Sequence, residues 1–561
     1  MSKYALGIHT GHDRGAAIVC DGIILASISQ ERLDRIKHSR SYSIPYDSID
    51  ALLKSQGLTM QDMGCVGFSG DAIEAPTVAS FLQQDFCKHY ECYNIPFYSV
   101  NHHDSHAYAT YYASGFQDSL IIVADGGGDY VGDMTEAESI YLGTHGDVLP
   151  LESRKQHPVI RRMGDYSNYL YPYMPQTVRK HEISISRKYE QITYLLGFGW
   201  GQAGKTMGLA SYGKSLINIS THSNLRSPVD FSLQYSDILD RLYAMQQSSG
   251  MNHFEFLEAN RADIARTIQA YTESVMTTII TELLQKYQVE HICVAGGLFL
   301  NCLLNHLILT ECPVKEVFFF PAAGDDGQAI GNALFAYRKH FGLITPVRLL
   351  SPYLGMSYND KEIEHTLRNH SLTYNKLDDC ALAQTVAKEI SENKIIAIHR
   401  GRTEIGPRAL CHRSILANPT SPDMKDILNS RVKHREAFRP FAPVVTAERQ
   451  FDIFDLKQES PYMLLAPFVK EEYRQQLPSI THVDGTARVQ SVTPQQEPFI
   501  HMLLCEFEKH SGLPVLLNTS FNVAGEPIVE SPEDAVATFL KTDIDVLCIG
   551  NYLVMKGNHF N

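Results

Sequence analysis

Residues 4–29 read YALGIHTGHDRGAAIVCDGIILASIS: an apolar strand, a polar turn with His, Gly and Asp, and two further apolar segments. The Asp21-Gly22 pair between the last two segments predicts a β-hairpin. The same order returns at 119–129, where SLIIVA runs into DGGGD. Two such openings, about 115 residues apart, predict a duplicated α/β unit.

Two later strands end in glycine and aspartate and then run into helical patterns. They are HICVAGG at 291–297 and KEVFFFPAAGDDG at 315–327. This order of strand, Gly/Asp turn and helix is typical of phosphate sites, because main-chain N–H groups and a helix N-terminus face the anion. A turn-rich join at 343–357 precedes a new α/β pattern, which predicts two domains, 1–350 and 351–561.

Composition narrows the class of protein. The 561 residues carry a formal net charge of −14, which argues against nucleic acid as a partner. The 11 cysteines form no CxxC pair, which is typical of a reducing compartment. No signal-peptide core and no apolar run of roughly 18 residues is present, so we expect a cytoplasmic protein without membrane contact.

Residues 100–112, VNHHDSHAYATYY, contain a candidate metal pair. His102 and His106 are four apart, so on a helix they share one face and can offer two imidazoles to one ion. His103 points about 100° away from that face and is expected to be structural. A helix start with ordinary surface histidines is the alternative interpretation.

Residues 199–206, GWGQAGKT, match the phosphate-loop pattern GxxxxGK[ST]. A working loop needs a strand before it and a helix after it. Here the preceding RKYEQITYLLGF has apolar residues at helical spacing, and Gly208 and Gly213 interrupt the segment on the other side. We therefore predict a glycine-rich loop that brings Lys205 near a ligand, without a true phosphate loop.

The second half is rich in arginine and lysine, although the chain is acidic. Arg408 and Arg439 lie beside proline and apolar residues, where arginine is usually buried against a carboxylate or phosphate. Salt bridging to the many acids is the alternative. LPVLLNTSFNVAGEPIV at 513–529 then supplies short polar side chains suited to a phosphate or carbamoyl group, unless they only scaffold a turn. The two basic clusters comprise Arg402, Arg408 and Arg413, and Arg431, Lys433, Arg435 and Arg439.

Taken together, these motifs resemble the O-carbamoyltransferases, a family that includes the nodulation-factor, cephamycin and tobramycin carbamoyltransferases. The resemblance runs nearly from end to end. Ala203 departs from it, since the family pattern ExKxMGLA has Glu there, and residues 145–190 match no family segment and are expected to be an insertion. The motifs are HDRGAA (12–17), ER…KH (31–38), HHDSHA (102–107), DGGGD (125–129), GKTMGLASYG (204–213), AGGLFLN (295–301), PAAGDDG (321–327), GRTEIGPRALCHRSILANP (401–419), VKHREAFRPFAP (432–443) and LPVLLNTSFNVAGEPIV (513–529).

The resemblance implies a fold and a reaction. The first domain would be an actin/hexokinase-like (ASKHA) duplicated ribonuclease-H fold, and the second a YrdC-like α/β domain. The family makes carbamoyl-adenylate from carbamoyl phosphate and ATP, supplied with Mg(II), and then carbamoylates a hydroxyl of a small-molecule acceptor. An antibiotic, a sugar, a nodulation factor and an alkaloid toxin all stay open as acceptor, as does a homodimer; no organic prosthetic group is expected.

The resemblance also implies roles for individual residues. His102, His106, Asp125 and Asp325 would bind a divalent metal, with Fe(II) preferred over Mn(II) and Zn(II), and Asp326 is the rival for Asp325. His12 would take the acceptor's proton, Lys37 would contact the adenylate, and Arg408, Lys433 and Arg439 would hold phosphates. The remaining residues expected to bind nucleotide or carbamoyl phosphate are Asp13, Gly126, Gly127, Lys205, Gly296, Gly297, Asn301, Arg402, Arg413, Asn518, Thr519, Ser520 and Asn522.

Two functions from other classes are the alternatives. A tRNA threonylcarbamoylation-type enzyme would use both fold types, but the net charge and the absence of a basic stripe disfavour a tRNA partner. A non-catalytic, actin-class ATP-binding protein would leave the arginine-rich domain without a role. A hydrogenase-maturation carbamoyltransferase would need paired CxxC zinc sites.

Overall fold

The computed structural model describes residues 2–70, 76–156, 183–217 and 228–557, and these form three β-sheets. The first two sheets belong to the N-terminal half of the chain and the third to the C-terminal half. Of the expected insertion at 145–190, residues 157–182 lie outside the described residues.

The first sheet has five strands in the order β3-β2-β1-β4-β5. Its central strand β1 is antiparallel to β2 and parallel to β4. The predicted hairpin is confirmed, since β2 and β3 pair antiparallel around Asp21-Gly22. The strands are β1 Tyr4–Thr10, β2 Gly15–Cys20, β3 Ile23–Ser29, β4 Met63–Gly70 and β5 Phe97–Ser99.

The second sheet repeats this arrangement. Its central strand β6 is antiparallel to β8 and parallel to β10, while β9 and β11 extend the two sides as β3 and β5 do in the first sheet. The repeated order confirms the predicted duplication and defines an actin/hexokinase-like fold. The strands are β6 Asp118–Ala124, β7 Tyr130–Val131, β8 Met134–Thr144, β9 Asp147–Gln156, β10 His291–Ala295 and β11 Glu316–Phe319.

Helices cover both sheets. The helix that follows β5 (α4) packs on the second sheet, and the helix that follows β11 (α11) packs on the first. The helices are α1 Glu31–Asp34, α2 Tyr46–Gln56, α3 Pro76–Tyr90, α4 His102–Ser114, α5 Ile185–Leu195, α6 Ala203–Ala210, α7 Pro228–Ser249, α8 His253–Ala259, α9 Arg261–Tyr287, α10 Cys302–Glu311 and α11 Gln328–Phe341.

Glycine allows α11 to lie unusually close to its neighbours. A Cβ on Gly7 of β1 would lie 1.9 Å from the Ala329 carbonyl oxygen, and one on Gly67 of β4 would lie 2.0 Å from that of Asn332. Gly331 of α11 meets α4 in the same way, because its Cβ would lie 1.9 Å from the Ser105 carbonyl oxygen. Because His102 and His106 lie at the start of α4 and Asp325 lies just before α11, this packing sets the spacing of these three candidate metal ligands.

The third sheet has eight strands in the order β12-β19-β18-β13-β14-β17-β15-β16. It is mixed: β13 is parallel to β18 and antiparallel to β14. The expected YrdC-like character of this domain stays a prediction. The strands are β12 Asn375–Lys376, β13 Ile396–His399, β14 Arg413–Ala417, β15 Ala442–Thr446, β16 Gln490–Val492, β17 Val515–Ser520, β18 Val546–Ile549 and β19 Tyr552–Met555.

One face of the third sheet is covered by two helices whose apolar side chains, such as Leu382 and Leu503, are fully buried. The predicted boundary at 350 lies between the end of α11 and the next helix, and its placement stays a prediction. The helices of this half are α12 Asp360–Asn369, α13 Asp379–Ser391, α14 Met424–Leu428, α15 Gln450–Ile453, α16 Glu471–Arg474, α17 Pro498–Ser511 and α18 Pro532–Lys541.

Residues 199–206, which match the phosphate-loop pattern, follow one helix and run into the next. Helix α5 precedes it and α6 contains its last residues, so the strand that a working phosphate loop requires is missing, as predicted. Among the described residues, no helix is both long enough and apolar enough to cross a membrane.

The close packing of α11 predicts that Gly331→Ala lowers the free energy of unfolding by about 3 kcal/mol or more, because a backbone oxygen cannot move aside as a side chain can. Gly204→Ala is the matched control, since Gly204 is also helical and has no neighbouring atom within 4 Å. Chemical denaturation of both variants measures the difference. Equal stability of the two would contradict the tight contact.

Candidate active site

The candidate metal pair is presented by the first turn of α4. Asn101 caps this helix, and its side-chain oxygen accepts hydrogen bonds from the N–H groups of His103 (2.9 Å) and Asp104 (3.0 Å). Asp129 accepts the N–H of His102 at 3.0 Å. The cap starts the helix at His102, which places His102 and His106 on one face, as the spacing predicts.

Two aspartates meet these imidazoles from the second sheet. Asp125 directly follows β6, and its Oδ1 accepts the Gly297 N–H at 2.9 Å. Asp325 begins the turn that leads into α11. Its Oδ1 lies 3.4 Å from His102 Nε2 and 3.3 Å from His106 Nε2, while Asp125 Oδ2 lies 3.3 Å from His102 Nε2.

The four side chains fit a metal ion. One donor atom from each lies within 4.8 Å of all the others. His106 Nε2 is buried and makes no hydrogen bond of ordinary geometry to any residue that the structure describes. Two imidazoles with two carboxylates suit a divalent transition ion. Metal binding itself stays a prediction.

The charges at this cluster depend on one another. Burial opposes ionisation of Asp325, but His12 and His102 hold the pKa of its carboxyl well below the usual range. Burial likewise disfavours the protonated form of His102, yet the carboxylates of Asp325 and Asp125 raise its pKa well above the usual value. For Asp326, burial together with the charges of Asp13 and neighbouring acids raises the pKa to about 8. The distances show that Asp325, and not its rival Asp326, is the aspartate that faces the imidazoles.

His103 lies apart from this cluster, as expected. Its Nδ1 is 2.8 Å from the Ser139 hydroxyl, and burial lowers its pKa to about 3. A neutral imidazole that packs against the second sheet is a structural group.

His12 stands between two carboxylates. Its Nδ1 lies 3.0 Å from Asp13 Oδ2 and its Nε2 lies 3.0 Å from Asp325 Oδ2. The other oxygen of Asp13 is 2.8 Å from His38 Nδ1. The chain's only tryptophan, Trp200, meets the rings of His12 and His38 edge to face at 5.2 and 5.1 Å between centroids.

A cavity of about 1400 Å³ joins these groups to the C-terminal half. A pocket for one drug-sized ligand typically measures roughly 300–1,000 Å³, so two substrates have room here. His106 does not line the cavity but lies behind Asp325. The predicted residues that line it are His12, Asp13, Lys37, His102, Asp125, Gly126, Gly127, Lys205, Gly297, Asn301, Asp325, Arg408, Lys433, Arg439, Asn518, Thr519, Ser520 and Asn522.

The C-terminal wall of the cavity is strongly basic. Burial and the charge of Arg488 lower the pKa of Arg408 to about 9. The Nε atoms of Arg408 and Arg488 are buried without a hydrogen-bond partner, and no carboxylate of the described residues lies within ion-pair distance of either guanidinium. Buried cations without counter-ions indicate an anion site.

Lys433 has a different environment. Its ammonium donates to the Ser520 carbonyl and to the Ser520 hydroxyl at 3.2 Å, and to the carbonyl and side-chain oxygens of Asn522, both at 3.0 Å. Burial and the charges of Arg435 and Arg439 lower its pKa well below the usual value. Lys433 therefore holds the loop that follows β17 against the cavity.

Three predicted ligand-binding residues are not brought to the cavity, and for these the structure corrects the expectation. Arg413 is fully buried and donates to main-chain carbonyls, including that of Arg400 at 2.9 Å. Arg402 donates to the carbonyls of Gly355 and Leu25. Gly296 has φ +97 and packs against Ala124, so it serves close strand packing.

The cavity also contains residues that the sequence did not single out as ligands. They share either a ring or a positive charge. Arg488 lies between Ala487 and Val489, the same apolar setting that singled out Arg408, and this signal could have found it. For Trp200, the sequence contains no signal beyond its position in a glycine-rich segment. The additional residues include His38, Trp200, Arg435 and Arg488.

Comparison with known proteins finds one family model in each half of the chain. Residues 76–334 match the family model "Carbamoyltransferase N-terminus" and residues 387–556 match "Carbamoyltransferase C-terminus". The nodulation protein NolNO of Sinorhizobium fredii is 32% identical over 97% of this chain and 79% of its own length. NolO of Bradyrhizobium diazoefficiens is 33% identical over 82% of this chain and 79% of its own.

Among solved structures, HypF of T. kodakarensis aligns with a TM-score of 0.42 and 14% identity, covering 62% of this chain and 49% of HypF. That similarity is too low to support the fold, which rests on the repeated strand order. The two family models and the relatives show that the chain belongs to the carbamoyltransferase family and is a transferase enzyme.

The geometry of the His–Asp cluster predicts that His106→Ala loses metal to well below one ion per chain, because one of four donors is removed from a buried site. His103→Ala is the matched control, since it deletes a buried imidazole from the same helix turn and should keep its metal. Elemental analysis of both purified variants measures the difference. Full metal content in His106→Ala would contradict the ligand assignment.

Proposed function

We propose that this carbamoyltransferase is an ATP-dependent O-carbamoyltransferase that makes carbamoyl-adenylate and passes the carbamoyl group to a hydroxyl of a small molecule. The observation that carries the proposal is a single cavity with a His–Asp cluster at one side and unpaired buried cations at the other. A reactive intermediate formed at one side can reach the other without entering bulk water.

The basic side is the proposed site of activation. Carbamoyl phosphate reacts with water to give carbamate and phosphate, and the carbamate oxygen then attacks the α-phosphorus of ATP. Carbamoyl-adenylate forms and pyrophosphate leaves. Arg408, Arg439 and Arg488 bind and orient the phosphate oxygens, whose charge grows as the leaving groups depart.

The His–Asp side is the proposed site of transfer. The acceptor hydroxyl replaces Asp325 Oδ2 at His12 Nε2, its oxygen attacks the carbamoyl carbon, its proton passes to His12 Nε2, and AMP leaves. Asp13 orients the imidazole through Nδ1, and an imidazole suits this task near neutral pH. A divalent transition ion held by His102, His106, Asp125 and Asp325 would neutralise phosphate charge at this side.

The acceptor site is proposed to lie beside His12. The rings of Trp200 and His38 and the carboxylate of Glu31 line this part of the cavity, so an acceptor would meet flat apolar surface and hydrogen-bond acceptors together. A 43-dalton mass gain, measured after incubation with ATP, carbamoyl phosphate and hydroxylated metabolites, identifies the acceptor.

For the activation step, Arg439→Ala is expected to slow carbamoyl-phosphate-dependent pyrophosphate release about 30- to 1,000-fold, since one charge-assisted phosphate contact in a desolvated pocket is lost. Arg431→Ala is the control: Arg431 lies in the same segment but pairs with Asp545 at 2.7 Å, away from the cavity. A near-wild-type rate for folded Arg439→Ala would refute the anion site.

For the transfer step, His12→Asn should leave pyrophosphate release intact and slow acceptor carbamoylation about 10²- to 10⁴-fold, as expected for loss of a general base. The two half-reactions are measured separately on the same preparation, so each serves as the control for the other. If both rates fall together, or neither falls, His12 only orders its loop.

A further inference from the structure

Seven of the basic side chains that line the cavity form one cluster, and their charges repel one another in the substrate-free protein. They belong to both halves of the chain, and burial lowers the pKa of most of them. Mutual repulsion among so many cations is unfavourable unless an anion is present. The cations are Lys37, Lys205, Arg408, Lys433, Arg435, Arg439 and Arg488.

Among the described residues, Glu436 is the only acidic residue whose carboxylate lies within ion-pair distance of a member of this cluster. It is 2.5 Å from Lys205 Nζ and 3.7 Å from an Arg439 guanidinium nitrogen. Burial opposes its charge, but Lys205 and Arg439 lower the pKa of the Glu436 carboxyl, so it is ionised at neutral pH.

The Glu436 carboxylate lies where an anionic group of a substrate would bind. It lines the cavity together with the two cations, and about a third of its side chain is exposed there. Lys205 lies on α6 of the N-terminal half, whereas Glu436 and Arg439 follow α14 in the C-terminal half. The ion pair therefore crosses the cavity and joins the two halves at the proposed phosphate site.

We propose that Glu436 is an internal anion: it occupies the phosphate subsite between Lys205 and Arg439, and the phosphate groups of the substrates displace it. This inference rests on the proposed function only for the identity of the natural ligands. A polyphosphate carries more charge than one carboxylate and offers several oxygens, so on binding it replaces Glu436 as the partner of Lys205 and Arg439.

Displacement has two consequences. The apparent affinity for phosphate is lower than the cations alone would give, because every binding event first breaks the Glu436 pairs. Binding also removes one ion pair between the two halves, so the wall of the cavity is released when substrate enters and is reformed when product leaves. Glu436 thereby sets the affinity of the site and does not take part in the chemistry.

Glu436→Gln tests this, because it keeps the size of the side chain and removes its charge. The KM for carbamoyl phosphate and for ATP in pyrophosphate release should fall at least fivefold. Glu436→Asp retains the charge and should stay within about threefold of wild type, which separates loss of charge from loss of shape. Glu506→Gln, which breaks a surface pair with Lys509, is the control and should change nothing.

A binding measurement makes the test independent of turnover. The dissociation constant of inorganic tripolyphosphate, measured by calorimetry, should fall at least fivefold in Glu436→Gln, with a folded protein verified by circular dichroism. An unchanged or weaker affinity overturns the inference, because it means that Glu436 does not compete with phosphate or contributes to binding it. If even the wild type releases no pyrophosphate, the proposed function fails while this comparison still decides the role of Glu436.

Discussion

The buried carboxylate of Asp325 is the point on which the site depends. It is almost fully buried, and an ionised carboxylate at such a position is costly unless positive or hydrogen-bonding groups surround it. His12 after β1, and His102 and His106 on α4, provide that surrounding from other parts of the chain. The Asp325 carboxylate thus fixes the positions of the segment after β1, of α4 and of the turn before α11 relative to one another. The glycine contacts of α11 allow the backbones to lie close enough for these interactions.

The two sides of the cavity carry opposite chemistry for a physical reason. A phosphate chain needs fixed positive charge, whereas removal of a proton from a hydroxyl needs a base that is held by carboxylates. Neither sheet of the N-terminal half carries the unpaired arginines, and the third sheet carries no counterpart of the His–Asp cluster among its described residues. In the proposed function, joining the halves around one cavity brings the two chemistries within reach of one intermediate.

Local sequence patterns predict the features that depend on neighbours in the chain. The duplicated strand openings, the hairpin at Asp21-Gly22 and the shared face of His102 and His106 follow from spacing alone. The structure also places Asp325 and not Asp326 against the imidazoles, although only the turn before α11 determines which carboxylate faces them.

Long-range contacts could not be predicted in this way. Arg408 and Arg413 belong to the same basic cluster of the sequence, yet Arg408 faces the cavity while Arg413 donates hydrogen bonds to main-chain carbonyls of adjoining segments. The pairing of Lys205 with Glu436, and of Trp200 with two histidines, joins residues far apart in the chain. Such contacts depend on how the halves pack, which no local pattern encodes.

Carbamoyl-phosphate-dependent exchange of radiolabelled pyrophosphate into ATP is the most direct test of the account, because exchange requires that adenylate formation be reversible at this site and needs no acceptor. We predict that label enters ATP only when carbamoyl phosphate is present. Exchange that does not depend on carbamoyl phosphate, or no exchange in folded protein loaded with metal, would contradict the assignment of carbamoyl-adenylate chemistry to this cavity.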